Sequence, residues 1–170
     1  MKFINILIVL SLLSFLSCTK KEEKVEIIID DVIETQMLES YKKGLKALDE
    51  GDALYAARHF TDAELLFPQS EWAPKSLLMA AYSYYSQDYF ADAIDELERF
   101  IKTYPQSNRL DYAYFLLATC YYEKIIDEKK DLEPLIKAKE TFNFVIQQYP
   151  STDFALDAKF KLDLIDETLA

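Results

Sequence analysis

The stretch that decides the fold is Ala93-Ile94-Asp95-Glu96-Leu97-Glu98-Arg99-Phe100-Ile101-Lys102-Thr103-Tyr104-Pro105-Gln106-Ser107. Apolar residues recur in it at Ala93, Leu97 and Phe100, three or four positions apart, which is the spacing of one face of an α-helix. Pro105 then ends the helix, because proline lacks the backbone N–H that the helical hydrogen bond needs. The stretch therefore predicts an amphipathic helix that stops at a proline-containing turn.

Two other segments repeat this pattern. Residues 56–70 read Ala-Ala-Arg-His-Phe-Thr-Asp-Ala-Glu-Leu-Leu-Phe-Pro-Gln-Ser, and residues 138–152 read Ala-Lys-Glu-Thr-Phe-Asn-Phe-Val-Ile-Gln-Gln-Tyr-Pro-Ser-Thr. In each, alanine is followed four residues later by Phe or Leu, three later by an apolar residue, and five later by proline. This is the signature of tetratricopeptide repeats, in which helical hairpins stack into a superhelix.

The spacing of small residues supports three hairpins. A Gly or Ala lies 12 residues before Ala56 and Ala93 but 20 residues before Ala138. The prolines agree, because the first two repeat prolines are 37 residues apart and the last two are 45 apart. Both comparisons place an eight-residue insertion in the third hairpin's loop, within Glu123–Pro134. Small residues are expected where helix axes approach closely. The predicted pairs are Gly44 with Ala56, Ala81 with Ala93 and Ala118 with Ala138, and Phe60, Leu97 and Phe142 are the predicted fillers beside them.

The predicted fold is all-α, a tetratricopeptide-type α-α superhelix of three helical hairpins plus a final helix, after a signal peptide and a tether. Only two glycines and five prolines occur in 170 residues, which favours helices over turn-rich β structure. The final helix either caps the stack or opens a repeat that a longer chain would complete. The predicted segments are 1–17 (signal peptide), 18–36 (acidic tether) and 37–170 (repeat domain, divided into 37–70, 74–107, 111–152 and a partial repeat at 153–170).

The N-terminus has the layout of a bacterial lipoprotein precursor. Its apolar run ends at Ser17 and is shorter than the roughly 20 residues that span a bilayer, so it predicts a signal peptide. Phe15-Leu16-Ser17-Cys18 resembles a lipobox, although Phe15 and Leu16 are bulkier than usual. The alternative is an ordinary signal peptide with an incidental cysteine. The resemblance implies a mature chain that begins at Cys18, diacylated on sulfur and acylated on nitrogen, and several acyl chains anchor stably.

Composition and motifs argue against several other functions. A net charge of -11 is unsuited to nucleic acid, whose phosphates need clustered Lys and Arg. His59 is the only histidine and has no second ligand at metal spacing. Cys120 has apolar neighbours and no disulfide partner once Cys18 carries lipid, so we expect a small buried hydrophobe. No phosphate loop or nucleophile motif is present, and we expect no enzyme activity, no metal and no cofactor.

The remaining feature is aromatic, with 12 tyrosines and 11 phenylalanines. First helices line the concave groove of such solenoids, where peptides commonly bind. Counted in helical positions from the small residues, Tyr84 and Tyr121 should pack inside their hairpins. The alternative is that all these rings fill the core. The residues predicted to face the groove are Tyr82, Tyr85, Tyr112, Phe115 and Tyr122.

Together these features resemble the BamD family, the tetratricopeptide lipoprotein of the outer-membrane β-barrel assembly machinery. The resemblance covers Cys18 and residues 41–170. It rests on the lipobox, the acidic spacer, the Phe/Tyr-Pro-x-Ser/Thr junctions, the Asp111–Tyr114 segment and the insertion. It implies an outer-membrane lipoprotein that faces the periplasm. Its implied partners are the barrel-inserting subunit, the accessory lipoproteins of the same complex, and unfolded outer-membrane proteins with aromatic C-terminal signals. Family members usually continue into further repeats that contact the barrel-inserting subunit, whereas this chain stops inside its fourth.

Two alternatives are weaker. Other periplasmic repeat adaptors, of the Tol–Pal or cell-division coordinator type, usually lack a lipobox and carry a coiled coil before their repeats. An envelope hydrolase on a helical scaffold would need a carboxylate in an apolar pocket, and the sequence shows none.

Overall fold

The computed structural model describes residues 23–127 and 132–169, with side chains over 31–124 and 132–167. Over these residues the chain forms seven α-helices and no strand, which confirms the all-α prediction. The signal peptide and Cys18 lie outside the described residues. The helices are α1 (Glu23–Asp49), α2 (Ala53–Leu66), α3 (Trp72–Tyr85), α4 (Phe90–Thr103), α5 (Leu110–Asp127), α6 (Glu133–Gln148) and α7 (Asp153–Leu169).

The helices stack in chain order, each against the next. Helices α1–α2, α3–α4 and α5–α6 form hairpins 1, 2 and 3, and α7 packs on α6 and, less closely, on α5. One buried cluster surrounds Phe60 in hairpin 1, and a larger one surrounds Phe100 and Phe142 in the rest of the stack. Tyr84 contacts both clusters, so it joins hairpin 1 to the remainder of the core, as its predicted inward position requires.

The predicted pairs of small residues between the two helices of each hairpin are present, and we call each such contact a seam. All six small residues are buried, and Phe60, Leu97 and Phe142 are fully buried beside them. A Cβ atom on Gly44 would lie 2.9 Å from Cδ1 of the Phe60 ring, so only glycine fits at this contact. Small residues thus allow the close approach of helix axes that the sequence predicted.

The turns inside hairpins 1 and 2 share one backbone geometry. Gly51 and Asp88, which are 37 residues apart, both have positive φ, 81° and 63°. Each turn closes with a bond five residues back: the N–H of Asp52 donates to the carbonyl of Ala47 (2.9 Å), and the N–H of Tyr89 to that of Tyr84 (3.0 Å). A left-handed residue followed by this bond is the usual C-terminal cap of a helix.

The junctions between hairpins are β-turns with proline in second position. Ser70, Ser107 and Thr152 each donate a backbone N–H to the carbonyl three residues earlier, at 3.0–3.1 Å. Thr152 also caps the next helix, because its Oγ1 accepts from the N–H of Ala155 (3.2 Å). Ser70 does not, because its hydroxyl donates to the carbonyl of Phe67 (2.8 Å).

Two predicted boundaries change. Helix α1 begins at Glu23, so residues 23–36 of the predicted tether are helical, although Met37 is the first buried side chain described. The insertion is only partly a loop, because α5 continues to Asp127. No Gly or Pro interrupts Glu123–Asp127, so nothing local ends the helix there. Residues 128–131, within the predicted insertion, lie outside the described residues.

The final helix α7 confirms the predicted helix at the end of the chain. Ile165 is buried and Phe154 packs against the core, but Leu156 and Phe160 are 67% and 65% exposed. Within the described ranges, no helix is both long and apolar enough to cross a bilayer.

A charged joint connects hairpins 1 and 2 through α2 and α4. Glu64 is buried, and its carboxylate accepts hydrogen bonds from Nη1 of Arg99 (2.9 Å) and from the hydroxyl of Tyr104 (3.0 Å). Arg99 also donates through Nε to Glu96 on its own helix (2.8 Å). The partners lie 35 and 40 residues from Glu64 in sequence, so only the stacked hairpins bring them together.

Candidate peptide-binding groove

A cleft of about 410 Å³ lies between α3 and the start of α5, and we call it the α3/α5 cleft. Two of the predicted groove tyrosines, Tyr82 and Tyr112, line it from opposite helices. Its size falls in the range of small-ligand and side-chain pockets. The lining residues are Glu71, Pro74, Lys75, Leu78, Met79, Tyr82, Ser107, Asn108, Arg109 and Tyr112.

Helical spacing aligns the α3 side of the cleft. Lys75, Leu78 and Met79 precede Tyr82 by seven, four and three residues, so the four side chains share one face. Lys75 is exposed, and its Nζ lies 4.3 Å from the centre of the Trp72 ring. The α3 side thus offers an apolar strip with a cation at its N-terminal end.

The α5 side begins at the junction before the helix. The hydroxyl of Ser107 accepts from the N–H of Arg109 (3.2 Å), which shapes the entry to α5. Arg109 lies one helical turn before Tyr112 and is exposed. Burial, with smaller contributions from Tyr82 and Tyr85, raises the pKa of Tyr112 to about 12. The Tyr112 hydroxyl therefore keeps its proton at neutral pH and can donate a hydrogen bond.

The structure brings three of the five predicted groove residues together. Tyr82 is 38% exposed, and its ring centre lies 6.3 Å from that of Tyr85. Tyr85 is half-buried and also contacts Phe90 at 6.1 Å. Tyr112 lines the cleft, and its ring centre also lies 5.4 Å from that of Phe154 on α7. We call Tyr82, Tyr85 and Tyr112 together the tyrosine surface.

The other two predicted residues lie nearer α7. Phe115 is half-buried, and its ring centre is 6.0 Å from that of Phe142 and 5.4 Å from that of Phe154. Tyr122 lies under Nζ of Lys161 at 4.7 Å. Phe115 therefore fills space between helices, and Tyr122 lies apart from the α3/α5 cleft.

Tyr121 is buried, as predicted for a residue inside its hairpin. Its hydroxyl donates to Glu98 on α4 at 2.6 Å. Burial and this carboxylate both raise the pKa of Tyr121 above its usual value. It therefore links α5 back to hairpin 2 and does not face the groove.

Sequence reasoning missed the two basic residues of the cleft, Lys75 and Arg109. The spacing from Tyr82 and Tyr112 was available as a signal, since residues three, four or seven apart share a helix face. That Lys75 and Arg109 line the same cleft depends on how hairpins 2 and 3 stack, and spacing within one helix does not contain that information.

A profile of the YfiO family, described as an outer membrane lipoprotein, matches residues 33–170. The outer membrane protein assembly factor BamD of Caulobacter vibrioides is 34% identical over 98% of this chain and 54% of its own length. The chain belongs to the BamD (YfiO) family. The BamD of Rickettsia prowazekii is also 34% identical, over 76% of this chain and 52% of its own length, so this chain spans about half of these relatives.

Solved structures confirm the helical-repeat architecture of this BamD-family chain. The tetratricopeptide domain of Arabidopsis OM64 matches 77% of it with a TM-score of 0.58 and 14% identity, and 97% of that domain is covered. The first tetratricopeptide domain of Spaghetti (RPAP3), solved with the HSP90 peptide SRMEEVD, matches 80% with a TM-score of 0.59 and 20% identity, and 94% of that domain is covered. At these identities the likeness concerns the fold.

A second hollow of the BamD-family chain, of about 530 Å³, lies between α1 and α2 and includes His59. The hydroxyl of Ser40 donates to the backbone carbonyl of His59 (3.0 Å), and the His59 ring packs edge-on against Tyr55 at 4.4 Å. Over the described ranges, no group of three His, Cys, Asp or Glu side chains could hold a metal ion. We interpret His59 as a helix-packing residue.

Cys120 is fully buried in α5, as its apolar neighbours predicted. Burial, with the nearby charge of Glu123, raises the pKa of its thiol to about 12. The side chain is therefore a neutral thiol at physiological pH and behaves as a small hydrophobe. The predicted lipid site of this family member, Cys18, lies outside the described residues.

Proposed function

We propose that this chain is a lipid-anchored, periplasm-facing component of the outer-membrane β-barrel assembly machinery. In this role it binds segments of unfolded outer-membrane proteins and carries out no catalysis. The observation that supports the proposal best is the α3/α5 cleft, which Tyr82 and Tyr112 line from two successive first helices. Family membership supports the assembly context, and the cleft supports a specific binding surface within it.

The chemistry of the cleft suits an aromatic side chain of an extended peptide. Leu78, Met79 and Pro74 supply apolar contact, and methionine adapts readily to different ring positions. Tyr82 and Tyr112 add ring surface, and aromatic pairs prefer offset or edge-on packing. Neither tyrosine hydroxyl has a hydrogen-bond partner among the described side chains, so both can bind peptide carbonyls.

The anchor belongs to the same proposal. Acylation at Cys18 would hold the chain at the outer membrane, and α1 would carry the repeats away from it. From Glu23 to Met37 this helix extends about 21 Å at 1.5 Å per residue. The side chains of residues 31–36 are exposed or half-buried, so this part of α1 is open to contact with the barrel-inserting subunit or an accessory lipoprotein.

The groove is tested by fluorescence anisotropy with a labelled hexapeptide that ends in Phe. We expect Tyr82→Ala with Tyr112→Ala to weaken binding about tenfold or more, since aromatic anchors carry much of the energy of such contacts. Tyr55→Ala and Tyr89→Ala together provide the matched control, because both tyrosines are exposed and neither lines the cleft. Unchanged affinity in the cleft variant, with its circular dichroism intact, would contradict the groove assignment.

The assembly context is tested by affinity purification of the lipidated protein from detergent-solubilised outer membrane. Recovery of the barrel-inserting subunit supports the proposal. Recovery of Tol–Pal components or peptidoglycan synthases in its place would assign the chain to the other class of envelope repeat adaptors. A Cys18→Ala variant should leave the membrane fraction, and its retention there would contradict lipid anchoring at this residue.

A further inference from the structure

The α3/α5 cleft has an unusual charge for this chain. The protein has a net charge of -11, yet two of the three charged side chains that line the cleft, Lys75 and Arg109, are basic and one, Glu71, is acidic. Among the described side chains, neither basic group has a carboxylate oxygen within 4.0 Å. Both are exposed, so both are free to bind an anion in the cleft.

The backbone favours an anion at the same end. Lys75 lies in the first turns of α3, and Arg109 directly precedes α5, so both helix N-termini point their positive ends at this part of the cleft. Helix N-termini attract anions through their dipole. At α5 the dipole is partly offset by Asp111, which accepts from the N–H of Tyr112 (2.8 Å), so Lys75 and Arg109 are the main attraction for an anion. Asn108, which also lines the cleft, adds an amide donor beside Arg109.

The opposite end of the tyrosine surface is acidic. Asp88 lies in the turn that follows α3, and Glu123 lies near the far end of α5. The N–H of Asp88 donates to the carbonyl of Tyr85 (3.1 Å), which places Asp88 beside this tyrosine. Burial, followed by the negative charge of Glu123 and more weakly of Asp88, raises the pKa of Tyr85. Glu123 is partly neutralised by Lys161, whose Nζ lies 3.5 Å away. The groove is therefore positive at Lys75 and Arg109 and negative beyond Tyr85.

We propose that the α3/α5 cleft recognises the free terminal carboxylate of its peptide through Lys75 and Arg109, with the last aromatic side chain between Tyr82 and Tyr112. This inference rests on the proposed peptide-binding function and adds a direction to it. The peptide ends at the N-termini of α3 and α5, and its preceding residues run toward Tyr85 and Asp88. Arginine and lysine suit this task, since charge-assisted bonds to carboxylates are stronger than neutral ones.

The geometry sets the length that is recognised. Lys75 and Tyr85 are ten residues apart on α3, which corresponds to about 15 Å along the helix. An extended peptide covers this distance with roughly four or five residues. Residues further from the terminus should contribute little to the affinity at this site.

The test compares a labelled hexapeptide ending in Phe with a free carboxylate and the same peptide with a C-terminal amide. We expect the wild-type protein to bind the acid about tenfold more tightly, and added salt to reduce this preference. Lys75→Gln with Arg109→Gln should lower the affinity for the acid to that for the amide and so abolish the preference. Arg58→Gln with Lys102→Gln is the control, because it removes the same charge from exposed side chains that do not line the cleft.

Three outcomes separate the two proposals. Equal binding of acid and amide by the wild-type protein, with affinity still lost in the Tyr82/Tyr112 variant, would overturn the carboxylate inference and leave the peptide groove standing. Equal loss of preference in both charge variants would also overturn it, since long-range attraction would then explain the effect. Binding of both peptides that is indifferent to Tyr82 and Tyr112 would overturn the proposed groove itself.

Discussion

Hairpins 1 and 2 are one 37-residue unit built twice with different side chains. Their internal turns have the same hydrogen bonds, although Gly51 occupies the left-handed position in one and Asp88 in the other. The helix axes also approach each other at equivalent positions of the two seams. Gly44 faces Phe60 in hairpin 1, and Ala81 lies in the same buried cluster as Leu97 in hairpin 2. The backbone geometry is kept, and the side chains change in compensating pairs.

The joints between successive hairpins extend the comparison. The joint of hairpins 1 and 2 is charged, with Glu64 bound by Arg99. One repeat later the position of Glu64 is occupied by Ile101 and that of Arg99 by Phe144. Ile101 packs against the core, and the Phe144 ring packs within hairpin 3 against that of Tyr114 at 4.5 Å. The positions of the ion pair at the first joint are therefore occupied by two apolar residues at the next.

We expect the largest loss of stability when the charged joint is broken. Arg99→Met leaves the carboxylate of Glu64, whose side chain is 5% exposed, without its cation. Loss of one partner of a buried pair commonly costs 3–5 kcal/mol, and we expect about 2–4 kcal/mol here because Tyr104 still donates to Glu64. Urea unfolding followed by circular dichroism measures the change. Glu64→Gln should cost less, since Arg99 retains Glu96 and is 36% exposed.

A double variant that places the residues of the second joint in the first tests whether the two joints are interchangeable. Glu64→Ile with Arg99→Phe should recover much of the stability that Arg99→Met loses, because replacing a buried pair by apolar residues is often neutral or favourable. If the double variant is no more stable than Arg99→Met, the two joints are not interchangeable and the stacking angles differ.

We expect the next largest loss of stability at the seam of hairpin 1. Gly44→Ala places a Cβ 2.9 Å from a fully buried phenylalanine ring, and such overpacking costs about 1–3 kcal/mol. Adding Phe60→Leu copies the Ala81/Leu97 pair of hairpin 2 and should restore part of the loss. A double-mutant cycle measured by thermal unfolding reports the coupling. Additive effects would show that the two positions do not compensate each other.

The turns give the smallest effect. Gly51→Ala should lose about 1 kcal/mol, because a side chain is disfavoured at φ of 81°. Asp88→Gly should change stability by only a few tenths of a kcal/mol, since relief of the left-handed conformation is offset by the entropy of glycine. Chemical unfolding of both variants compares the turns directly. An Ala variant at Gly51 as stable as the parent would show that this turn can adopt another geometry.

The sequence by itself determined the repeat architecture and part of the groove. Apolar spacing, small residues and prolines act within a few helical turns, so three hairpins and a final helix could be predicted from them. Tyr82 and Tyr112 were found for the same reason, since the phase of a helix is a local property. Helix ends were harder to predict: the extensions of α1 to Glu23 and of α5 to Asp127 carry no local stop signal.

Only the tertiary structure decided which distant side chains meet. The Glu64–Arg99 pair, the cleft shared by Lys75 and Arg109, and the packing of Phe115 against α7 all join residues more than 30 positions apart. Their distances depend on the angle and register at which hairpins stack, and those are set by the whole core acting together. The aromatic residues that line the groove can therefore be predicted from the spacing within one helix. The charges that give the groove a direction can be assigned only when the positions of two stacked helices are known.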